Sequence, residues 1–187
     1  MKIAYLILGH NTPNHLGRLV RALDSPNAKI FIHIDRKSDI SPFREKLTQN
    51  SVAFLEDRVN VHWGDFSNVE ATIRLMKEAL NCSPESDYLA LLSGSDYPLR
   101  SQQYIEDFFT RNHGRQCINL VRVPCDAVGK PLDRFQRYWL RTPFNSRVII
   151  RAVARLNDLN RRLKLVNLDY EKIFKGLVPM EVVNGGP

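Results

Sequence analysis

The sequence predicts an α/β domain in which helices flank a mostly parallel sheet. Short continuous apolar runs recur along residues 1–125, and their length is typical of buried parallel strands. Segments with apolar residues at helical spacing lie between these runs. Such an alternation is typical of layered folds in which parallel strands are connected through helices.

The first strand–helix–strand unit is predicted over residues 2–34. Lys2–Leu8 and Lys29–Ile34 are apolar runs of strand length, and polar residues follow each of them. Between them, apolar residues recur at the spacing of one helix face: Leu16, Leu19, Val20 and Leu23. Pro13 suits the first turn of this helix, with Asn11 or Thr12 as its cap.

A short strand and a long helix are predicted next. The strand is expected at Val59–His62, and Ser67 and Glu70 then have the spacing of a capping box at a helix start. Apolar residues follow at helical spacing and are predicted to form the apolar face of this helix: Val69, Ile73, Met76 and Leu80.

Two further strands and a helix complete the predicted sheet. Asp87–Leu92 is expected to be a buried strand, and Cys117–Val123 a central one. Ser101 is placed to cap the helix between them. The residues of that helix that are expected to face the core are Ile105, Phe108 and Phe109.

The positive charge of the chain is concentrated in one region. The formal net charge is +7, and residues 134–164 alone carry nine basic residues against one acidic residue. Within this region, Val148–Leu165 alternates arginines with apolar residues at helical spacing, which predicts a basic amphipathic helix or helix pair. Three interpretations stay open: a solvated helix face, contact with donor phosphates or an anionic membrane surface, and nucleic-acid binding. No nucleic-acid-binding motif accompanies the charge, so no nucleic-acid partner is expected.

The cysteines and the N-terminus bear on location. The three cysteines have neither a CxxC pair nor a histidine partner at zinc-finger spacing, which predicts neither disulfides nor a structural zinc site. The first apolar run is too short for a signal peptide or a spanning helix. A cytoplasmic location is therefore expected, with any membrane contact at the surface.

Polar residues that follow the predicted strands are the first candidates for a binding site, because ligands of open α/β sheets lie at the carboxyl ends of strands. They fall in four loops: Gly9–Asn11, Asp35–Ser38, Trp63–Asp65 and Ser93–Asp96. Plainer alternatives exist for the main candidates. Asp35 is equally well interpreted as a turn or cap residue, and His10 as a loop histidine that has its own hydrogen-bond partner. Trp63 is alternatively interpreted as a core residue, and Asp96 is alternatively interpreted as a structural residue of its turn.

Common nucleotide and hydrolase motifs are absent from the sequence. The chain has no GxxxxGK[ST] phosphate loop and no GxGxxG after the first strand, which argues against an NTPase and a dinucleotide-dependent oxidoreductase. It also has no nucleophilic serine elbow and no HExxH zinc motif. These absences leave a nucleotide or sugar site without a standard phosphate-binding loop.

Four motifs of the chain, in this order, resemble those of one enzyme family. They are KIAYLILGH at residues 2–10, IHIDRKS at 32–38, the segment from Trp63-Gly64 to Ala71, and LLSGSDYPL at 91–99. The family is that of the core-2/I-branching β-1,6-N-acetylglucosaminyltransferases and peptide O-xylosyltransferases, glycosyltransferase family 14. The resemblance covers about residues 1–99 and is weaker after them.

This resemblance implies a GT-A-like fold, and inverting transfer of a sugar from UDP-N-acetylglucosamine or UDP-xylose to a hydroxyl of a glycan. It also implies that no metal cofactor is needed. Position 94 is Gly where other GT-A enzymes carry Asp-x-Asp, and the remaining Asp96 alone is a poor site for Mg²⁺ or Mn²⁺. The implied UDP-sugar site draws on all four motifs: Leu8, Gly9, His10, Asp35, Lys37, Trp63, Gly64, Ser93 and Asp96.

Individual roles within this site follow from the same resemblance. Asp35 matches the acid that pairs with uracil, and residues 8–10 match the strand edge that lines the nucleoside. Trp63 and Gly64 match a segment that borders the same pocket. Asp96 is expected to orient sugar hydroxyls.

The catalytic base and the cations that stabilise the diphosphate leaving group are expected beyond Pro187, where the family carries the matching segments. The expected organisation is a nucleotide-sugar-binding core over residues 1–125 and a basic acceptor-side segment over 126–187, truncated before the catalytic part. Arg134, Arg137 and Tyr138 are the expected acceptor-side residues. The alternatives to an active transferase are a catalytically inactive sugar-nucleotide-binding module and a basic domain that binds nucleic acid or a membrane surface.

Overall fold

The computed structural model describes residues 1–62, 64–118, 120–122, 140, 146–163 and 183–185. The chain divides into two compact units, Met1–Arg115 and Gln116–Pro187. The predicted boundary at residue 125 lies outside the described residues and stays a prediction.

The first unit is a parallel sheet with helices on both faces. Its elements are β1 (Ile3–Gly9), α1 (Pro13–Leu23), β2 (Ala28–Ile34), α2 (Ser41–Lys46), β3 (Val52–Phe54), α3 (Phe66–Cys82), β4 (Tyr88–Ser93) and α4 (Gln102–Arg111). In the described part of this unit, the strands pair in the order β3-β2-β1-β4, and every pair is parallel. The predicted α/β class is therefore confirmed.

Alternating residues of the central strands supply both layers of the core. In β1, Ile3 and Ile7 pack in one layer with α1, whose predicted apolar residues are all buried. Ala4 and Leu6 belong to the opposite layer, where Leu75 of α3 is buried with them. Because successive side chains of a strand alternate between its faces, β1 is covered on both sides. This packing holds the carboxyl ends of the central strands in fixed positions.

The buried face of α3 differs from the prediction. The residues predicted to form it are 39–55% exposed: Val69, Ile73, Met76 and Leu80. Ala71, Leu75 and Ala79 are buried instead. Their four-residue spacing also places them on one face of the helix, and the small alanines let the helix approach the sheet closely. The helix carries two apolar stripes, and spacing alone does not decide between them, so the predicted face was wrong.

The start of α3 lacks the predicted capping box. Its first residue is Phe66, so Ser67 lies inside the first turn rather than at the cap. The Ser67 hydroxyl accepts a hydrogen bond from the His62 backbone N–H at 2.9 Å. Glu70 pairs with Arg74 one turn further along the helix. Both side chains of the predicted box are therefore used elsewhere.

The segment Val59–His62 is not a strand, contrary to the prediction. On the edge of β2 away from β1, the paired strand is β3, which lies earlier in the chain than this segment. The Val59 N–H donates to the His33 side chain, and the Val61 N–H donates to the Asp35 carboxylate. Side chains thus take the place of a neighbouring strand for these two backbone groups.

Helix α4 agrees with the prediction at its start but not over its whole apolar face. The Ser101 hydroxyl accepts a hydrogen bond from the Tyr104 N–H at 3.3 Å, as expected of a cap. Ile105 and Phe109 pack against the core. Phe108 is exposed and contacts the Phe109 ring edge-on, so its predicted burial was wrong. Adjacent helix positions are separated by about 100° of rotation, and α4 buries only the side that carries Ile105 and Phe109.

In the described residues of the second unit, β5 (Leu120–Arg122) pairs antiparallel with β6 (Val183–Gly185), and α5 spans Arg147–Leu163. β5 lies within the strand predicted at residues 117–123, but it pairs with β6 rather than within the parallel sheet. The prediction of a central strand was therefore wrong. An apolar run indicates a strand but does not determine its partner. The predicted basic amphipathic helix is confirmed as α5.

Candidate functional site

A cavity of about 900 Å³ lies at the carboxyl ends of β1, β2 and β4 in the first unit. Its volume is typical of sites for small molecules and cofactors. The position is also the one expected for ligands of open α/β sheets, because loops from several strand ends meet there.

Most of the residues predicted for the UDP-sugar site line this cavity: Leu8, Gly9, His10, Asp35, Lys37, Gly64 and Ser93. Asp96 is not among the lining residues, although Ser93 in the same turn is. Trp63 lies outside the described residues. The predicted acceptor-side residues Arg134, Arg137 and Tyr138 also lie outside them.

Asp35 is held firmly at the cavity. It follows the last residue of β2, and only 8% of its surface is exposed. One carboxylate oxygen, Oδ1, accepts hydrogen bonds from the backbone N–H groups of Lys37 (3.0 Å) and Val61 (3.3 Å). The other oxygen, Oδ2, lies 3.4 Å from the Lys37 ammonium. Asp35 therefore caps a turn and lines the cavity at once, and its contact with a ligand stays a prediction.

Further hydrogen bonds fix the turn at residues 35–38. The Asp35 N–H donates to the Gly9 carbonyl at 2.8 Å, and the Ser38 hydroxyl donates to the His10 carbonyl at 2.7 Å. The Arg58 guanidinium donates to the carbonyl oxygens of Ser38 (3.0 Å) and Asp35 (3.4 Å). These bonds join the ends of β1 and β2, so the acidic side chain is preorganised before any ligand arrives.

Several lining residues were not predicted: His33, Val61, His62, Asn68, Leu91 and Leu92. His33 is the most informative of them, because it is buried and its Nε2 accepts a hydrogen bond from the Val59 N–H at 2.9 Å. Burial lowers the pKa of His33 below its usual value. A signal for this residue was present in the sequence, since positions 33 and 35 share one face of the strand.

The Ser93–Asp96 turn closes the cavity at the end of β4. The Gly94 N–H donates to the Leu8 carbonyl at 2.7 Å, which draws the turn against β1. The Asp96 carboxylate accepts a hydrogen bond from the Ser93 N–H at 2.7 Å. This bond gives Asp96 the structural role that was considered as its alternative. Its contact with sugar hydroxyls stays a prediction.

The first turn of α1 supports the same loop. Arg18 can only donate, and its guanidinium lies 3.1 Å from the His15 Nδ1, so this nitrogen accepts. The His15 Nε2 therefore carries the proton and donates to the Asp96 carbonyl at 3.1 Å. The Ser93–Asp96 turn is thus fixed from β1 and from α1.

The described residues contain no group of three or more His, Cys, Asp or Glu side chains placed to hold a metal ion. Within the same part of the chain, no helix is both long and apolar enough to cross a membrane. The expectation of metal independence is not tested by these observations.

Comparison with known proteins identifies one family. The model of the core-2/I-branching enzyme family matches residues 3–124. Xylosyltransferase oxt of Drosophila melanogaster is similar to this chain, with 27% identity over 123 residues that cover 63% of the chain and 14% of that protein. The Homo sapiens β-1,3-galactosyl-O-glycosyl-glycoprotein β-1,6-N-acetylglucosaminyltransferase is 32% identical over 138 residues, which cover 72% of the chain and 32% of that protein.

Xylosyltransferase 2 of Rattus norvegicus is similar over 121 residues, with 28% identity, 62% of the chain covered and 14% of that protein. The chain thus spans between 14% and 32% of the lengths of these three relatives. The matched region includes the cavity and all the predicted donor-site residues.

Proposed function

Because this chain belongs to the core-2/I-branching enzyme family, we propose that it binds a UDP-sugar and is the donor-binding part of an inverting glycosyltransferase. The proposed donor is UDP-N-acetylglucosamine or UDP-xylose, and the proposed acceptor is a hydroxyl of a glycan. Inverting transfer needs a general base that deprotonates this hydroxyl and cations that stabilise the leaving diphosphate.

The observation that carries this proposal is the preorganised carboxylate of Asp35. An ionised carboxylate only accepts hydrogen bonds, so it complements the imide N–H of a uracil base. Two backbone N–H groups already hold this side chain in place, which lowers the conformational cost of binding. The surrounding cavity of about 900 Å³ is large enough for a nucleotide with an attached sugar.

Other cavity residues complement the remainder of the donor. The Lys37 side chain is about half exposed, and its ammonium group lies 3.4 Å from the Asp35 carboxylate and donates to the Val61 carbonyl, so we assign it to the nucleoside end of the donor. Ser93 lines the cavity beside Asp96, and we assign both residues to the orientation of sugar hydroxyls. No divalent metal takes part in this scheme.

A calorimetric titration of the chain tests the proposal and its metal independence together. UDP-N-acetylglucosamine and UDP-xylose are expected to bind with the same affinity in EDTA and in Mn²⁺, because the described residues around the cavity offer the metal too few oxygen ligands. GDP-mannose serves as the control for base recognition and is expected not to bind. Binding that disappears in EDTA and returns with Mn²⁺ would contradict the metal-independent scheme, and equal binding of GDP-mannose would contradict recognition of uracil.

Contact with an anionic membrane surface is a second candidate function, and it rests on α5. Arg147, Arg151 and Arg155 share one side of this helix, whereas Leu156 and Leu163 are exposed on the other. Such a helix can lie at the surface of a cytoplasmic membrane that carries a lipid-linked acceptor. Sedimentation with vesicles should then show binding to phosphatidylserine-containing vesicles and none to phosphatidylcholine alone. Equal recovery with both kinds of vesicle would count against the contact.

A further inference from the structure

His33 lies beneath the cavity in a position that no part of the proposed function uses. It is the last residue but one of β2, where it pairs with Leu8 of β1, and 1% of its surface is exposed. Its side chain shares a sheet face with Phe31 below it and with Asp35 above it, because strand residues two positions apart point the same way. His33 is therefore fixed by the core on one side and faces the cavity on the other.

The segment Val59–His62, which we call the wall segment, forms one side of the cavity through Val61 and His62. Its attachment to β2 depends largely on side chains. The Val59 N–H donates to the His33 Nε2 at 2.9 Å, and the Val61 N–H donates to Asp35 at 3.3 Å. The Val59 carbonyl also accepts from the Arg36 N–H at 3.0 Å, and the Val61 carbonyl accepts from the Lys37 ammonium at 2.5 Å.

The attachments through His33 and through Asp35 differ in what a ligand does to them. Asp35 is the group that the proposed donor engages, and its Oδ1 already accepts two backbone hydrogen bonds. A bound base therefore shares this carboxylate with the Val61 N–H. The bond between His33 and Val59 is shorter and buried, and a ligand in the cavity makes no demand on its acceptor.

The hydrogen bond also fixes the protonation state of His33. Because Nε2 accepts from an N–H, its lone pair must be free, and the neutral ring carries its proton on Nδ1. Burial is the largest influence on the pKa of His33 and lowers it, while the Asp35 carboxylate raises it. The guanidinium groups of Arg58 and of Arg74 on α3 lower this pKa further. Protonation would place two N–H groups against each other and break the attachment.

We propose that His33 is a positioning residue for the donor site: through Val59, its unprotonated Nε2 holds the wall segment where the nucleotide binds. This role rests on the proposed function, because the wall segment matters only if the cavity binds the donor. His33 itself need not touch the donor. Loss of the acceptor would let the wall segment move away from β2 and would weaken nucleotide binding without removing any ligand contact.

Two variants of His33 separate this role from a purely structural one. His33→Gln places a side-chain carbonyl near the position of Nε2 and keeps an acceptor for Val59, whereas His33→Leu keeps the apolar bulk without one. We expect UDP affinity to fall about tenfold in His33→Leu and to stay within about threefold of wild type in His33→Gln. Amide hydrogen exchange without ligand should accelerate at Val59 and Val61 in His33→Leu alone.

The pH profile supplies a readout that a packing role would not affect. Because the pKa of folded His33 is lowered, the attachment is intact at neutral pH and is lost as the pH falls through that value. Wild-type UDP affinity should therefore decrease on acidification. His33→Gln keeps the other groups around the cavity that titrate or carry charge, namely Asp35, Lys37, His10 and His62. The dependence of UDP affinity on pH in His33→Gln should therefore lack the loss that protonation of His33 causes in wild type.

The outcomes distinguish the two proposals. If wild type binds UDP and His33→Leu binds it equally well, with unchanged exchange at Val59, the positioning role is overturned while the proposed function stands. If wild type does not bind UDP, the proposed function fails and the donor role of the wall segment fails with it. Should His33→Leu not fold, the pH profiles decide, and identical profiles for wild type and His33→Gln would overturn the role.

Discussion

Replacing Asp35 with alanine is expected to weaken UDP binding at least about 30-fold, because truncating one member of a buried, hydrogen-bonded charge pair costs roughly 2–5 kcal/mol. The substitution removes the acceptor for the backbone N–H groups of Lys37 and Val61 and leaves the Lys37 ammonium without its carboxylate. It also removes the proposed acceptor for the uracil imide. Calorimetric titration with UDP at neutral pH measures the loss.

Two companion variants make this result specific. Asp35→Asn keeps an oxygen for the two backbone N–H groups but removes the charge. Its UDP affinity should therefore lie between the affinities of wild type and Asp35→Ala. Asp39→Ala is the matched control, because Asp39 is an exposed carboxylate four positions later that caps the Ser41 N–H and does not line the cavity. UDP affinity within about threefold of wild type in Asp35→Ala would contradict the assignment of this residue.

Replacing Gly94 with alanine is expected to reduce the free energy of unfolding by about 3 kcal/mol, at the upper end for overpacking of a close contact. A Cβ at this position would lie 3.1 Å from the Gly9 Cα and 3.2 Å from the Leu8 carbonyl oxygen. Both atoms belong to the backbone of β1, which is held on both sides by its neighbouring strands. The turn at residues 93–96 must therefore move away from the cavity, and UDP binding should weaken as well.

Gly17→Ala provides the control for this substitution. Gly17 is also buried, but it lies in α1, and a Cβ there would meet its nearest neighbour, the Arg21 guanidinium, at an ordinary 3.6 Å. Alanine is favoured over glycine in a helix, so this variant should be neutral or more stable by up to about 1 kcal/mol. Urea denaturation of both variants checks the difference. Equal stability of Gly94→Ala and wild type would show that β1 and the turn are not in close contact.

Much of the site could be predicted because it depends on local features of the sequence. Gly9, Asp35 and Ser93 each stand at or just after the end of an apolar run, and parallel strands bring such ends to one edge of the sheet. The same holds for the buried face of α1, whose apolar residues form a single stripe with no competing one. Family resemblance then gave these positions their proposed roles.

The features of the fold and of the cavity that could not be predicted depend on contacts between residues that are distant in the sequence. His33 lies in an apolar strand, and nothing nearby in the sequence indicates that it accepts a hydrogen bond from Val59, 26 positions later. In Val59–His62, which has the composition of a strand but is not one, His33 and Asp35 accept from the backbone N–H groups of Val59 and Val61. In α3 the choice between two apolar stripes is made by the small side chains that let the helix approach the sheet. Such choices are made by packing in three dimensions rather than by spacing along the chain.

We propose that a UDP-sugar binds in the cavity at the ends of β1, β2 and β4. Mapping the backbone amide chemical shifts of the chain during titration with UDP in EDTA tests it most directly. We expect the largest shifts at residues 8–10, 35–37 and 61–64, and we expect them to be lost in Asp35→Ala. Shifts confined to α5, or no shifts at saturating UDP, would contradict it.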